Sequence, residues 1–296
     1  MSGYTEACGS VDSNTSLIAT RGINNKGQKG AWKGVFKANN GFKFDSIDSM
    51  KIQGTWDAAV AAGNLTYLGI GKFDDQSAEA TFFEDTALNY KVKQTDATKV
   101  LGFQLLVCDC TNAELLKLDG QSSGLFFQTA SQYGIGRLYD DGKVGGLNAD
   151  ITVNLKSLAT DDTPAEYSRL VFSFTEPKAD ELNPCSLKLD FLFSEVDQVG
   201  RIGYKVSAVS NGGSSLVFTL TIYEDCGTTK VTGFSSSDFV ATDVNGNVLT
   251  ISALVDTAGV YAGAITTALT LAYIKINGIQ EVNDLLWISD SIEITT

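Results

Sequence analysis

The segment LVFTLTIY, Leu216–Tyr223, decides the fold class of this chain. Its apolar side chains fall on every second residue, from Leu216 to Ile222, and its other side chains fall between them. A period of two over a whole segment predicts a β-strand with one face in the core. The last hundred residues repeat this pattern between Asn-Gly turn signals, and they therefore predict one small β-sandwich. Its further predicted strands are Val248–Val255, Leu269–Ile276 and Ser291–Thr295, and its turns are at 211–213, 245–246 and 277–278.

The size and composition of the chain favour two β-rich domains. At 296 residues it can bury two cores, and 29 glycines with only 3 prolines among many Thr, Val and Ser residues favour strands and turns. We place the domain boundary after residue 197. The net charge of −13 argues against nucleic-acid binding, because binding phosphates needs Lys and Arg to release counterions. Neither an apolar leader segment nor a run long enough to cross a bilayer is visible in the sequence.

The first 197 residues predict a β-domain with one or two short helices. Thr55 is the expected N-cap of a helix over Trp56–Ala62, and Gly63 is its expected stop. A capping box at Thr111–Glu114 opens a second short helix, Ala113–Leu118. The predicted strands are Leu65–Gly71, Thr81–Phe83, Leu88–Val92, Val100–Cys108, Leu125–Thr129, Ile135–Tyr139, Asn148–Leu158, Arg169–Phe174 and Leu187–Phe193.

Residues 1 to about 44 form a basic segment at the start of an acidic chain. It contains scattered apolar residues and no acid between the first basic residue and Asp45. One interpretation is a solvated loop or hairpin. The other is an extended arm that contacts the acidic surface of a neighbouring copy, where opposite potentials bring the pair into register. The candidate contact residues are Arg21, Lys26, Lys29, Lys33, Lys37 and Lys43.

The sequence contains no recognisable catalytic, metal-binding or cofactor-binding set. The complete absence of histidine removes Ser-His-Asp and Cys-His nucleophile systems and most zinc and iron sites. Cys108-Asp109-Cys110 has no second pair at ligand spacing, so we interpret it as buried small side chains. Five cysteines at irregular spacings predict free thiols. The Asp pairs at 74–75, 140–141 and 161–162 are expected to be solvated turn residues. The chain is therefore predicted not to be an enzyme, with no catalytic residue, no metal and no cofactor.

Two resemblances to known families sharpen these expectations. The segment Asp256–Tyr261 resembles the tyrosine corner of immunoglobulin-like domains, in which the Tyr hydroxyl bonds to a nearby loop. The Asp is one place further from the Tyr than usual, and the cysteine pair and core Trp are missing. These absences fit bacterial and phage versions of the fold. The resemblance implies that residues 198–296 form an immunoglobulin-like β-sandwich after an N-terminal β-sandwich or barrel.

The order of elements in residues 1–197 is similar to that of tailed-phage tail tube proteins. The basic arm, the Thr55–Gly63 helix and the strand–helix–strand around Thr111–Gly120 carry this likeness. The family implies a structural virion protein whose copies form hexameric rings, stacked into a tube through which DNA passes without specific binding. Such a subunit is made in the host bacterial cytoplasm, contacts other virion proteins and does not enter a membrane.

Two alternatives stay open from the sequence. One is a head decoration protein or other head structural protein. No window predicts the long spine helix of a capsid shell fold, which counts against the major capsid protein but less against a decoration protein. The other is a carbohydrate-binding adhesin, which needs exposed aromatic side chains. Trp32, Trp56 and Trp287 are the candidates for such a role, and each is also a candidate core residue.

Overall fold

The structure of the protein is a computed structural model, and it confirms a mainly β chain. It describes residues 7–8, 32–76, 82–85, 90–93, 99–105, 115–157, 167–176, 184–224, 229–267 and 269–296. The chain divides into two compact units, Met1–Val196 and Asp197–Thr296. Whether each unit folds independently stays a prediction.

The described part of the first unit contains fourteen strands, two α-helices and one 3₁₀ turn. The helices are α1 (Ile47–Lys51) and α2 (Gln53–Ala61), and the 3₁₀ turn is Phe193–Glu195. The strands are β1 (Ala7–Cys8), β2 (Trp32–Ala38), β3 (Lys43–Phe44), β4 (Leu65–Ile70), β5 (Lys72–Asp75), β6 (Phe82–Asp85), β7 (Tyr90–Lys93), β8 (Val100–Leu105), β9 (Ser122–Thr129), β10 (Tyr133–Leu138), β11 (Val144–Gly145), β12 (Leu147–Ser157), β13 (Tyr167–Phe174) and β14 (Pro184–Lys188).

Strand β9 is the point where the large sheet of the first unit branches. Twelve strands pair in this sheet, with the main order β1-β14-β10-β9-β12-β13-β8-β5. One edge of β9 pairs with β2, which continues to β4. The other edge pairs first with β12 and then with β10, which meets β9 at Phe127 and Gln128. The residues of β9 are therefore enclosed by neighbours along both edges, and Leu125–Thr129 are all buried.

Trp56 of α2 is the centre of the core on one face of this sheet. It is fully buried, and its ring centroid lies 4.6 Å from that of Phe44, 4.7 Å from Phe193 and 5.3 Å from Phe126. Its indole nitrogen donates a 2.8 Å hydrogen bond to the carbonyl of Met50, which satisfies the only polar group of the side chain. A second core on the other face of β9 includes Phe127, Phe103 and Phe172.

The helix at Trp56 is confirmed, but its predicted start is wrong. It begins at Gln53 with Ile52 as N-cap, so Thr55 lies inside the helix. The preceding helix α1, which we did not predict, ends just before Ile52 and fixes the start of α2. A capping box of Ser46 and Ser49 begins α1, with the Ser49 amide 3.1 Å from the Ser46 hydroxyl. Gly63 adopts a φ of 73° just after α2, as expected for a residue that ends a helix.

Two further expectations for the first unit need correction, and three others lie outside the described residues. The predicted strand Leu187–Phe193 is wrong, because β14 ends at Lys188 and Phe193 belongs to the 3₁₀ turn. Cys185 is disulfide-bonded, so free thiols throughout the chain are not what the structure shows; Cys185 faces Cys8 across the pairing of β14 and β1. The Thr111–Glu114 capping box, Cys108-Asp109-Cys110 and Asp161-Asp162 lie outside the described residues.

The second unit is a sandwich of two sheets. Its strands are β15 (Val199–Asn211), β16 (Leu216–Glu224), β17 (Phe239–Thr242), β18 (Val248–Leu249), β19 (Ile251–Thr257), β20 (Val260–Ile265), β21 (Leu271–Ile276), β22 (Gln280–Val282), β23 (Leu285–Ser289) and β24 (Ile292–Thr295), with a 3₁₀ turn at Ser236–Asp238. One sheet has the order β19-β20-β16-β15-β23-β22, and the other has the order β18-β17-β21-β24. The first contains the D-E-B-A order and the second the C′-C-F-G order of an immunoglobulin-like sandwich.

The deciding segment forms strand β16 as predicted, although Thr221 on its expected outer face is only 7% exposed. Leu216, Phe218, Leu220 and Ile222 of β16 are at most 1% exposed and face the core between the two sheets. The predicted strand Val248–Val255 is corrected, because Thr250 separates β18 from β19 and the two strands belong to different sheets. The described residues include no helix that is long and apolar enough to cross a membrane.

Candidate functional site

The six basic residues of the predicted contact arm do not form one group in the structure. Arg21, Lys26 and Lys29 lie outside the described residues, and the side chain of Lys33 is not described. Lys37 belongs to β2 and Lys43 to β3. The expected arm therefore does not extend to residue 44, because its last part is paired strand within the first unit. The role of the earlier residues in a contact stays a prediction.

Lys43 and its neighbours form a basic and aromatic cluster on the surface of the first unit. The Lys43 ammonium lies 3.5 Å from the ring centroid of Tyr139, and the guanidinium of Arg137 lies 4.7 Å from the same ring. Arg137 also pairs with Glu176. The hydrogen bond from Arg137 holds the pKa of Glu176 below its usual range. The charges of Lys43 and Arg137 are therefore engaged by side chains of the first unit itself.

Lys37 has a different environment. In β2, the register places it opposite Leu125 of β9 and Thr66 of β4, so strands flank it on both sides. The residue is only 9% exposed, and burial lowers the pKa of its ammonium because the charged form loses hydration. Its Nζ donates a 2.7 Å hydrogen bond to Oδ1 of Asn39. Lys37 is therefore a charged group held inside the unit by a neutral partner.

The Lys37 side chain lines a polar cleft of about 830 Å³. The walls come from five parts of the first unit: the end of β2 with the turn at 39–41, Gly63 after α2, the start of β9, the start of β12, and Thr175 after β13. These parts meet because β9 pairs with both β2 and β12. The lining side chains are mainly amides and hydroxyls, and Lys37 is the single charged residue among them.

Internal hydrogen bonds fix the walls of this cleft. The Asn39 amide nitrogen donates to the carbonyl of Gly63 and to the hydroxyl of Thr66, both at 2.9 Å, so its oxygen is turned towards Lys37. Ser123 donates to the carbonyl of Ala38. These bonds connect the turn after β2 to the end of α2 and to β9. The cleft is thus preformed by the fold.

The tyrosine predicted to form a corner is the anchor of the second unit. Tyr261 in β20 is fully buried, its hydroxyl donates to the carbonyl of Val231 at 3.0 Å, and it accepts from the amide of Phe234 at 3.3 Å. Asp256 accepts from the amides of Gly233 and Gly259, both at 2.8 Å. The tie lies at the start of the E strand of the sandwich, whereas the usual tyrosine corner lies at the start of the F strand.

The described aromatic candidates are buried, and the described Asp pairs make contacts within the first unit. Trp56 is 0% and Trp287 is 6% exposed, and the side chain of Trp32 is not described. Two of the three aromatic candidates of an adhesin are therefore core residues. The expectation that Asp74 and Asp75 are turn residues is wrong, because both lie in strand β5 and Asp74 pairs with Arg169. Asp141 lies in the turn between β10 and β11, as expected, and accepts from the amide of Lys143. The described residues contain no group of three acidic or cysteine side chains placed to hold a metal ion.

Sequence reasoning missed the cleft as a site, although it singled out Lys37. The available signal was a lysine inside the apolar strand segment Val35–Ala38, where solvent is not expected on either side. Comparison with known protein families found no matching family, and comparison with curated proteins found no similar sequence.

Proposed function

We propose that the protein is a structural subunit of a phage tail tube. Its first unit would form rings that stack around a DNA-conducting lumen, and its immunoglobulin-like second unit would decorate the outside. The observation that carries this proposal is that one chain contains two such units. The first has a large antiparallel sheet covered by a short helix, and the second is a separate immunoglobulin-like sandwich. This is the architecture that the resemblance to tail tube proteins implies.

The edges of the large sheet support self-assembly. Within the described residues, β4 pairs only with β2, and β5 pairs only with β8. A strand with one open edge presents N–H and C=O groups that another chain can pair with or cover. In a closed ring of identical subunits each edge meets a neighbour, and a head-to-tail contact repeated around an axis closes the ring.

The charge of the chain supports the passage of DNA. Residues 1–197 carry a net charge of −8, out of −13 for the whole chain. A lumen lined by negative charge repels the phosphate backbone, so DNA slides through without being held. The partners of this function are other copies of the chain and other virion proteins, and its location is the virion tail after synthesis in the bacterial cytoplasm.

Negative-stain electron microscopy of the purified chain at rising concentration tests this proposal. We expect rings or hollow tubes, because a subunit of this kind assembles through its own edges. Particles that stay monomeric at every concentration would contradict the tube and favour a decoration protein of the head.

A charge-reversed variant tests the basic segment separately. Replacing Lys26, Lys29 and Lys33 by Glu should weaken stacking without unfolding the subunit, because the expected contact is electrostatic. The matched control replaces Lys205, Lys230 and Lys275 by Glu, which makes the same charge change at three exposed positions of the second unit. Equal assembly of both variants would show that the basic segment makes no contact.

A further inference from the structure

The ammonium of Lys37 lacks an ionic partner in the described part of the chain. Its Nζ donates a hydrogen bond to the neutral oxygen of Asn39, and no carboxylate among the described residues lies within ion-pairing distance. A lysine this deeply buried is rare unless its charge is paired, because the lost hydration is costly. With no carboxylate partner among the residues that the structure describes, the ammonium of Lys37 in the cleft can pair with an anionic ligand.

The hydrogen-bonding capacity of the cleft narrows the chemistry of that anion. An ammonium has three donors, and Asn39 accepts one of them. Most side-chain N–H and O–H groups of the walls are used internally. The amide nitrogen of Gln121 donates to the carbonyl of Lys117 at 2.6 Å, and the hydroxyl of Thr175 donates to the carbonyl of Asn148 at 3.3 Å.

The hydrogen-bonding atoms of the walls that remain unused are mainly acceptor oxygens. The amide oxygens of Gln121 and Asn148 have no bond within the described residues, and each wall hydroxyl keeps acceptor capacity. A ligand that fits must therefore bring a negative group for Lys37 and hydroxyl donors for these oxygens.

The rim of the cleft favours a single negative charge. Ser122 donates to Asp150, and Asn148 donates to Glu176 at 3.3 Å, so two carboxylates lie just beyond the walls. A phosphate carries more than one negative charge near neutral pH and is usually bound by several cationic or backbone donors. With one ammonium inside and two carboxylates outside, a carboxylate fits this site better than a phosphate.

We propose that this cleft binds a hydroxylated carboxylate of the acidic-sugar class. The carboxylate pairs with Lys37, and the hydroxyls donate to the oxygens of Gln121, Ser123 and Asn148. The volume of about 830 Å³ lies within the range of small-molecule sites, about 300–1,000 Å³. The acid can be a free sugar acid or the acidic residue of a glycan, since both present the same chemistry. The proposal does not depend on the tube function.

Isothermal titration of the full chain with glucuronate tests this site. Glucose supplies the hydroxyls without the charge, acetate supplies the charge without the hydroxyls, and glucose 6-phosphate supplies a dianion. We expect glucuronate to bind about tenfold or more tightly than each of the three, because only it satisfies Lys37 and the wall oxygens together. Equal binding of acetate, glucose or glucose 6-phosphate, or no binding of glucuronate, would overturn the proposal.

Two variants and a control locate the binding in the cleft. Lys37→Met keeps the length of the side chain and should reduce glucuronate affinity by about tenfold or more, because the ionic hydrogen bond is lost. Asn148→Asp should also weaken binding, since it adds a negative charge to the wall. Lys275→Met removes an exposed lysine from the second unit and should leave the affinity unchanged. Thermal unfolding of each variant checks that the first unit is folded.

The same variants distinguish the sources of the carboxylate. If glucuronate binds and an acidic oligosaccharide binds more tightly, the natural ligand is a glycan; if both bind equally, it is a free sugar acid. If Lys37→Met abolishes self-association and glucuronate does not bind, an acidic side chain of another copy fills the cleft and the proposal is wrong. Rings formed by a Lys37→Met variant that has lost glucuronate binding would support both this proposal and the tube.

Discussion

Strands β9 and β16 differ in how they are buried: β9 is covered on both faces, whereas β16 is covered fully on one face and only in part on the other. The five residues Leu125–Thr129 of β9 are all buried, because cores lie on both faces and strands lie along both edges. In β16 the burial alternates from Leu216 to Leu220, with Val217 exposed and Thr219 half-buried, whereas Thr221 is buried as well. A strand with one solvent-facing side can be recognised in a sequence because its apolar residues recur with a period of two. A strand covered on both faces lacks this period.

The difference has consequences for polar side chains. Gln128 of β9 is 4% exposed, so its amide must bond within the protein, and it does so on both ends. Its nitrogen donates to the carbonyl of Phe191 at 2.9 Å, and its oxygen accepts from the amide of Phe193 at 2.7 Å. Thr219 of β16 instead faces outward and is half-buried. Substitutions around β9 should therefore cost more free energy of unfolding than substitutions around β16.

The largest effect is expected for Trp56→Ala. Removing a fully buried indole from the centre of five phenylalanine rings leaves a cavity, and the carbonyl of Met50 loses the indole N–H. The change should lower the free energy of unfolding by about 3–5 kcal/mol. Denaturant unfolding of the full chain, followed by circular dichroism, measures it. Trp56→Phe, which keeps a ring, should cost less. A loss similar to that of a surface substitution would show that α2 does not organise this core.

The next effect is expected for Gln128→Leu. Leucine has a similar volume but leaves the Phe191 carbonyl and the Phe193 amide without their partner, which should cost about 2 kcal/mol or more. The exposed Gln76 is the control, since Gln76→Leu removes only a surface hydrogen bond to Asp74. If both substitutions have the same effect in thermal unfolding, the amide of Gln128 does not hold the 3₁₀ turn against β9.

A smaller effect is expected for Tyr261→Phe in the second unit. The substitution removes the hydroxyl that joins β20 to Val231 and Phe234 while it keeps the buried ring, so the free energy of unfolding should fall by about 1–2 kcal/mol. Tyr273→Phe on the partly exposed face of β21 is the control. In scanning calorimetry only the transition of the second unit should move. An unchanged transition would mean that the hydroxyl bonds are no better than those to water.

The sequence predicts the second unit well because its strands have one wet face. The alternation of β16, the Asn-Gly turns and the tie at Tyr261 are local signals, and the sandwich assembles from strands that each show them. The long strand β15 was missed because its burial alternates weakly, with only Ile202 fully inside. The split at Thr250 was missed because it depends on which sheet each half joins, which no local pattern records.

The first unit and its cleft are harder to predict because they depend on contacts between distant segments. The start of α2 is set by α1, whose capping box uses serine at both positions in place of the expected Glu or Gln. The cleft joins Lys37, Gly63, Gln121 and Asn148, which span more than a hundred residues of sequence and meet through the pairing of β9. A sequence shows Lys37 as one basic residue among six, and only the fold shows that its side chain is buried and lines a cleft of amides and hydroxyls.

The smallest effect is expected for the pH dependence of stability that Glu176 gives to the first unit. The hydrogen bond from Arg137 lowers the pKa of Glu176 from 4.5, so the folded carboxyl stays ionised at a pH where the unfolded one is protonated. Its stabilisation is therefore complete above pH 4.5 and is lost as the pH falls through the lowered pKa. Because the Glu176 side chain is 48% exposed, solvent limits the effect to under about 1 kcal/mol. Thermal midpoints of native protein and Glu176→Gln should differ at pH 6 and converge near pH 3. The exposed Glu281→Gln is the control, and a difference that stays constant with pH would show that the pair with Arg137 adds no stability.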